Sequence, residues 1–86
     1  MYKGDFAQSL NAYLNALKIF EQLNEEISIA KLEGNIGQVL LQLQDYEKAK
    51  YYFIHSLHIK QKLKDKRGIN NALMNLGSLY YFLYKM

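Results

Sequence analysis

Slid along itself until Asp5 meets Asp45, this chain of 86 residues aligns with its own second half without a gap. Leu17 then falls on Leu57, Ile19 on Ile59, Leu23 on Leu63, Ile29 on Ile69, Asn35 on Asn75, Gly37 on Gly77 and Leu43 on Leu83. Conservative matches lie between them, among them Phe6 with Tyr46, Ser9 with Ala49, Tyr13 with Phe53 and Ala16 with Ser56. A fixed period marks repeat architecture, in which one supersecondary unit buries its apolar face against the next. The matched positions are mostly apolar or small, as duplicated packing faces require.

Within each period the apolar residues step at helical intervals. Phe6, Leu10, Tyr13, Leu14 and Leu17 follow i, i+3, i+4 and i+7, as do Tyr46, Phe53, Ile54 and Leu57. Ile29, Leu32, Ile36, Val39, Leu40 and Leu43 do the same, as do Ile69, Leu73, Leu76, Tyr80 and Leu83. Breaks fall near Asn24-Glu25, Gln44-Asp45 and Lys64-Asp65. The pattern predicts four helices, over 5–23, 25–43, 45–63 and 66–84. Asp5 and Asp45 are placed to accept from first-turn amides, and Asp5 with Gln8 fits a capping box. Connections this short make successive helices antiparallel neighbours. The expected fold is all-α, a single domain over 1–86 with repeats at 5–43 and 45–84.

Composition removes several functions. The chain has no cysteine, which excludes a disulfide framework, a thiolate metal site and a cysteine nucleophile. It has no proline, so nothing in the sequence forces a kink. No apolar stretch approaches the roughly 20 residues of a membrane span. The opening Met1-Tyr2-Lys3-Gly4-Asp5-Phe6 has no apolar run of a secretory signal. A cytoplasmic chain without a membrane partner is the expectation. The formal charge of +3 is unevenly spread: residues 1–43 carry −2 and residues 44–86 carry +5. Such polarity suits an acidic partner, or one end of a second copy.

The stretch Glu33-x-x-Ile36-Gly37-x-x-Leu40, followed by Ala49-x-x-x-Phe53-x-x-Ser56, resembles the tetratricopeptide repeat, a helical hairpin with the pattern W-x₂-L-G-x₂-Y and then A-x₃-F. Leu73-x-x-Leu76-Gly77-x-x-Tyr80 repeats its first half, and Ser9-x-x-x-Tyr13-x-x-Ala16 its second. The long period, Gly37 to Gly77, looks like the long-helix variant common in bacterial sensor and regulatory proteins. The resemblance implies antiparallel hairpins stacked as a right-handed solenoid. Gly37 and Gly77 would admit a close helix, with Ala49, Ser9, Ser56 and Ala16 the small residues across from them, and Tyr13 and Phe53 as wedges between hairpins. The sequence departs from the pattern in having Glu33 and Leu73 at the tryptophan position and no proline after the second helix. Its phase is B-A-B-A: the chain opens on what resembles a second helix and closes on a first.

The resemblance also implies that first helices line a concave groove for a peptide or protein segment. The residues so placed are Lys31, Asn35, Gln38 and Gln42, then Asn71, Asn75, Ser78, Tyr81 and Phe82, with Gly34, Leu41 and Met74 beside them. Asn35 and Asn75 are candidate clamps for a ligand backbone, because an amide donates and accepts at once. The alternative for each is a bond within its own hairpin. Only Lys31 stands near them as a cation, which argues against capture of a C-terminal carboxylate.

The run Lys60, Lys62, Lys64, Lys66 and Arg67 reads as a solvated helix end rather than a nucleic-acid face, since no aromatic stacking set accompanies it. His55 and His58 lie at i, i+3, but no third ligand makes a metal site of them, and neither a metal nor a cofactor is expected. Ser56 has no accompanying acid and base, so no catalytic residue and no enzyme activity are expected. A peptide-binding scaffold is the leading expectation. The alternatives are a self-assembling module, joined as a dimer or head to tail through its exposed terminal helices, and the sensor part of a bacterial signalling protein.

Overall fold

The computed structural model describes residues 3–85, and among these every regular element is helical. Helix α1 runs Lys3–Gln22, α2 Glu26–Gln42, α3 Tyr46–Lys62 and α4 Lys66–Lys85. Met1, Tyr2 and Met86, the ends of the domain expected over 1–86, lie outside the described residues. The helices match the apolar periodicity to within a residue or two. One start differs: α1 has already begun at Lys3, so Asp5 lies in its first turn and does not cap it. The capping box expected for Asp5 and Gln8 is therefore not formed.

All three turns share one geometry. Asn24, Gln44 and Lys64, evenly spaced along the chain, hold φ of 55°, 65° and 57°. In the middle turn the amide of Gln44 donates to the carbonyl of Leu41, and that of Asp45 to the carbonyl of Leu40, at 3.0 and 2.9 Å. The other two turns repeat both bonds. This is the Schellman closure, which satisfies the last carbonyls of a helix through one left-handed residue. The next residue then opens the following helix. Asp45 accepts from the amide of Lys48 at 3.4 Å, and Asp65 from that of Gly68 at 3.0 Å. Glu25, one methylene longer, makes no such bond.

Of the three left-handed residues, only asparagine tolerates that conformation readily. Gln44→Gly and Lys64→Gly are each expected to stabilise the domain by about 0.5–1 kcal/mol. A higher midpoint in chemical denaturation checks this, with Asn24→Gly giving the smaller gain.

Helix α2 is the centre of the molecule. It packs against α1 on one side and α3 on the other, and also meets α4; α3 packs on α4, while α1 packs closely against α2 alone. With α1 and α4 apart, the four helices do not close into a ring. The core gathers Leu17, Ile29, Leu32, Ile36, Leu40, Leu41, Ala49, Phe53 and Leu79, most of them from α2 and α3. Ile36 and Leu79 are fully enclosed, and Phe53 is 1% exposed.

The two notch glycines differ. A Cβ placed on Gly37 would overlap Cε1 of Phe53 and lie 2.6 Å from its Cδ1. The ring of Phe53 thus occupies the space the glycine leaves, inside the α2–α3 hairpin rather than as a wedge between hairpins. Ala49 and Ser56 are buried on the same face of α3, and the Ser56 hydroxyl donates to the Ala30 carbonyl at 2.6 Å. Gly77 does not take the packing role expected of it: a Cβ there would meet nothing within 4 Å. The ring that fills Gly37 comes from α3, the helix following it. Tyr13, the counterpart of Phe53, is only partly buried against the core.

Candidate functional site

Helices α2 and α4 are in contact, and Asn35 and Asn75 line the same two hollows. The Asn75 amide passes over Gly34, 3.5 Å from where a Cβ would be, an ordinary van der Waals distance. Gln38 donates through Nε2 to Oδ1 of Asn75 at 3.0 Å, which ties the first repeat to the second. Asn75 is therefore bonded between repeats and not within its own hairpin. Its amide nitrogen remains as a donor, and Asn35 is exposed alongside.

These amides form a ridge shared by two hollows. The wider one, of about 520 Å³, is walled by Phe6, Ser9 and Tyr13 of α1, by Asn35, Gln38, Val39, Leu41 and Gln42 of α2, by Phe53 of α3, and by Asn75, Ser78 and Phe82 of α4. The narrower one, of about 470 Å³, is walled by Lys31, Gly34, Asn35, Gln38, Lys60, Asn71, Met74 and Asn75. Asn35, Gln38 and Asn75 belong to both. The two hollows together make a trough, divided at this ridge, with an aromatic end and a polar, basic end.

Eight of the nine residues expected in the groove lie along this trough: Lys31, Asn35, Gln38, Gln42, Asn71, Asn75, Ser78 and Phe82. Tyr81 does not. It is 57% exposed on another face of α4, with Lys85 Nζ 5.1 Å from its ring centre and Phe82 meeting it edge to face. Tyr81 points about 100° around α4 from Phe82 and lines neither hollow.

The structure also brings in residues that one-helix reasoning missed. Lys60 of α3 reaches the basic end of the trough and is 7% exposed, which corrects its reading as part of a solvated run. Burial holds its ammonium below the usual lysine range; Asp65 opposes this shift, and the nearby charge of Lys31 adds to it. The sequence offers one cation near the asparagines, and the fold supplies two. Phe6 and Ser9 join the aromatic end for the same reason: α1 reaches the trough from outside α2 and α4.

A second polar pair lies across the α2–α3 interface. Nδ1 of His55 is 2.7 Å from both carboxylate oxygens of Glu33, whose side chain is 3% exposed against 47% for His55. Burial raises the Glu33 carboxyl above its usual range. The hydrogen bond and charge of His55 pull it back, and Glu21 adds to the rise. The legible sign of this pair is that Glu33 sits on an apolar stripe, where the other repeat has Leu73. Among the described residues no cluster of three or more His, Asp or Glu side chains is placed to hold a metal, and no helix is long and apolar enough to cross a membrane.

The geometry defines an all-α chain with a polar and aromatic trough across two helices of equal register. No protein-family model matches the chain. Over 76 residues, 88% of its length, it is 33% identical to trafficking protein particle complex subunit 12 of the mouse, Mus musculus. The chain spans 9% of that protein's length.

Proposed function

We propose that this chain is a protein-interaction module of the tetratricopeptide-repeat type, without chemistry of its own, which holds a peptide segment along the trough. The observation that carries the reading is the amide ridge of Asn35, Gln38 and Asn75, set between an aromatic hollow and a basic one. Backbone amides of an extended peptide need partners that donate and accept, and carboxamides supply both. The aromatic end, with Phe6, Tyr13 and Phe82, suits an apolar side chain of the peptide. Lys31 and Lys60 at the other end suit an acidic side chain or a terminal carboxylate, since a charge-assisted bond in a partly enclosed hollow is stronger than one in open water. The contact of α2 with α4, both first helices of their repeats, is the contact a solenoid uses to build its concave face. The mouse relative is named as a subunit of a multi-protein complex, which lies on the same side of the argument.

Selection of a random-peptide display library on the immobilised chain tests this. The peptides recovered are expected to carry an acidic residue or a free C-terminus several residues from an apolar one. Asn75→Ala and Lys60→Met are each expected to weaken the selected peptide about tenfold, the equivalent of about 1.4 kcal/mol. Lys60→Met keeps the buried stem and removes only the charge. Recovery of no peptide, or of peptides indifferent to both substitutions, would overturn the proposal.

A further inference from the structure

The α2–α3 interface is built from one stripe on each helix, and the chain carries a second, unpaired copy of both stripes. On α2, Glu33, Gly37 and Leu40 are buried by α3; their counterparts on α4, Leu73, Gly77 and Tyr80, are exposed. On α3, Ala49, Phe53 and Ser56 are at most 2% exposed; their counterparts on α1, Ser9, Tyr13 and Ala16, are half-buried.

We propose that a second copy of this chain seats its α1 on the open face of α4, in the register that α3 takes on α2. Inside the chain that register pairs Gly37 with Phe53, Ala30 with Ser56 and Glu26 with Lys62, the last at 3.0 Å. Transferred to the matching positions of the repeat, these become Gly77 with the partner's Tyr13, Asn70 with the partner's Ala16, and Lys66 with the partner's Gln22. The notch at Gly77, empty in the single chain, then receives a ring of nearly the same shape as the one filling Gly37. Charge favours the same pairing. The half bearing α4 carries +5 and the half bearing α1 carries −2, and the register sets Lys66 and Arg67 beside Glu21 of the next copy. Because the two stripes lie on different helices, the contact is heterologous, head to tail; repeating the register of α3 on α2 adds each copy along one superhelical stack, so association continues with concentration.

Ser9 and Tyr13 also wall the wider hollow, so a seated copy borders the peptide trough. Peptide binding is tested at Asn75 and Lys60, outside both stripes, and the two readings therefore fail separately.

Sedimentation equilibrium of the chain reads the proposal. The weight-average mass is expected to start at 10.1 kDa in dilute solution and to climb with concentration beyond twice that value. Gly77→Leu fills the notch of an exposed residue and is expected to abolish the climb while the helical circular dichroism is kept. Ser9→Arg, on the half-open α1 stripe, is expected to do the same from the other side. Mixed, the two variants have one intact stripe each, and they are expected to form a 1:1 pair that grows no further. A parent chain that stays monomeric, variants that associate as the parent does, or a mixture that stays monomeric would each overturn it.

Discussion

Gly37→Leu is expected to unfold the domain, while the same substitution at its counterpart in the next repeat, Gly77→Leu, leaves the monomer folded. Even a single added carbon at Gly37 overlaps the Phe53 ring. That ring is 1% exposed and enclosed by the core, so it has nowhere to move without vacating its site. The loss then approaches that of deleting a buried phenylalanine, about 3–5 kcal/mol, with overpacking strain of about 1–3 kcal/mol added. At about 0.05–0.15 kcal/mol per residue, a domain of this size has little more than that to lose. Gly77 meets nothing, and replacing a mid-helix glycine there recovers up to about 1 kcal/mol of helix propensity. Thermal melts followed by circular dichroism, in dilute solution, compare the two. A Gly37→Leu variant that melts with the parent would show that the hairpin packing is misread.

Glu33→Leu is expected to stabilise the domain by about 1–2 kcal/mol at neutral pH, since exchanging a buried carboxyl for a well-packed apolar side chain is often favourable. Removing one member of a buried ion pair usually strands the other, but His55 is half exposed and remains solvated. The second repeat already has Leu73 in this place. For a domain of this size the gain is several degrees in Tm.

The pH dependence follows from the raised carboxyl, with its neighbours His55 on α3 and Glu21 on α1. An acid whose pKa is higher in the fold than in the unfolded chain favours folding when protonated. Its contribution is present below the unfolded value, near 4.5, and is lost as pH rises through the elevated folded value. Tm of the parent minus that of Glu33→Gln is therefore expected to become more favourable to the parent as the pH is lowered toward 4.5. A difference that is flat with pH, or of opposite slope, would mean that His55 compensates the burial in full.

Much of the architecture was legible because it rests on local periodicity. Apolar residues at helical steps placed the four helices, and the self-match of the two halves placed equivalent residues on equivalent faces. Asp45 was legible as a cap because it stands at a break between two apolar runs, whereas Asp5, ahead of a run in the same way, lies inside its helix. The left-handed turn residues were not, since glutamine and lysine do not announce that conformation. Among the trough residues, those on α2 and α4 other than Val39 were expected from the resemblance to the tetratricopeptide repeat. Lys60, Phe6 and Ser9 did not, because their membership depends on how α3 and α1 sit around α2.

The sequence by itself determined that this protein is a duplicated set of amphipathic helices with matched glycines, since side-chain spacing along one helix is a property of the chain alone. Only the tertiary structure decided that Gly37 is filled by Phe53 while Gly77 stands open. It alone decided that Glu33 is buried against His55, and that Lys60 reaches the hollow beside Lys31. Each of these depends on which helix lies opposite, and matched local patterns on α2 and α4 acquire different environments from the different helices packed around them.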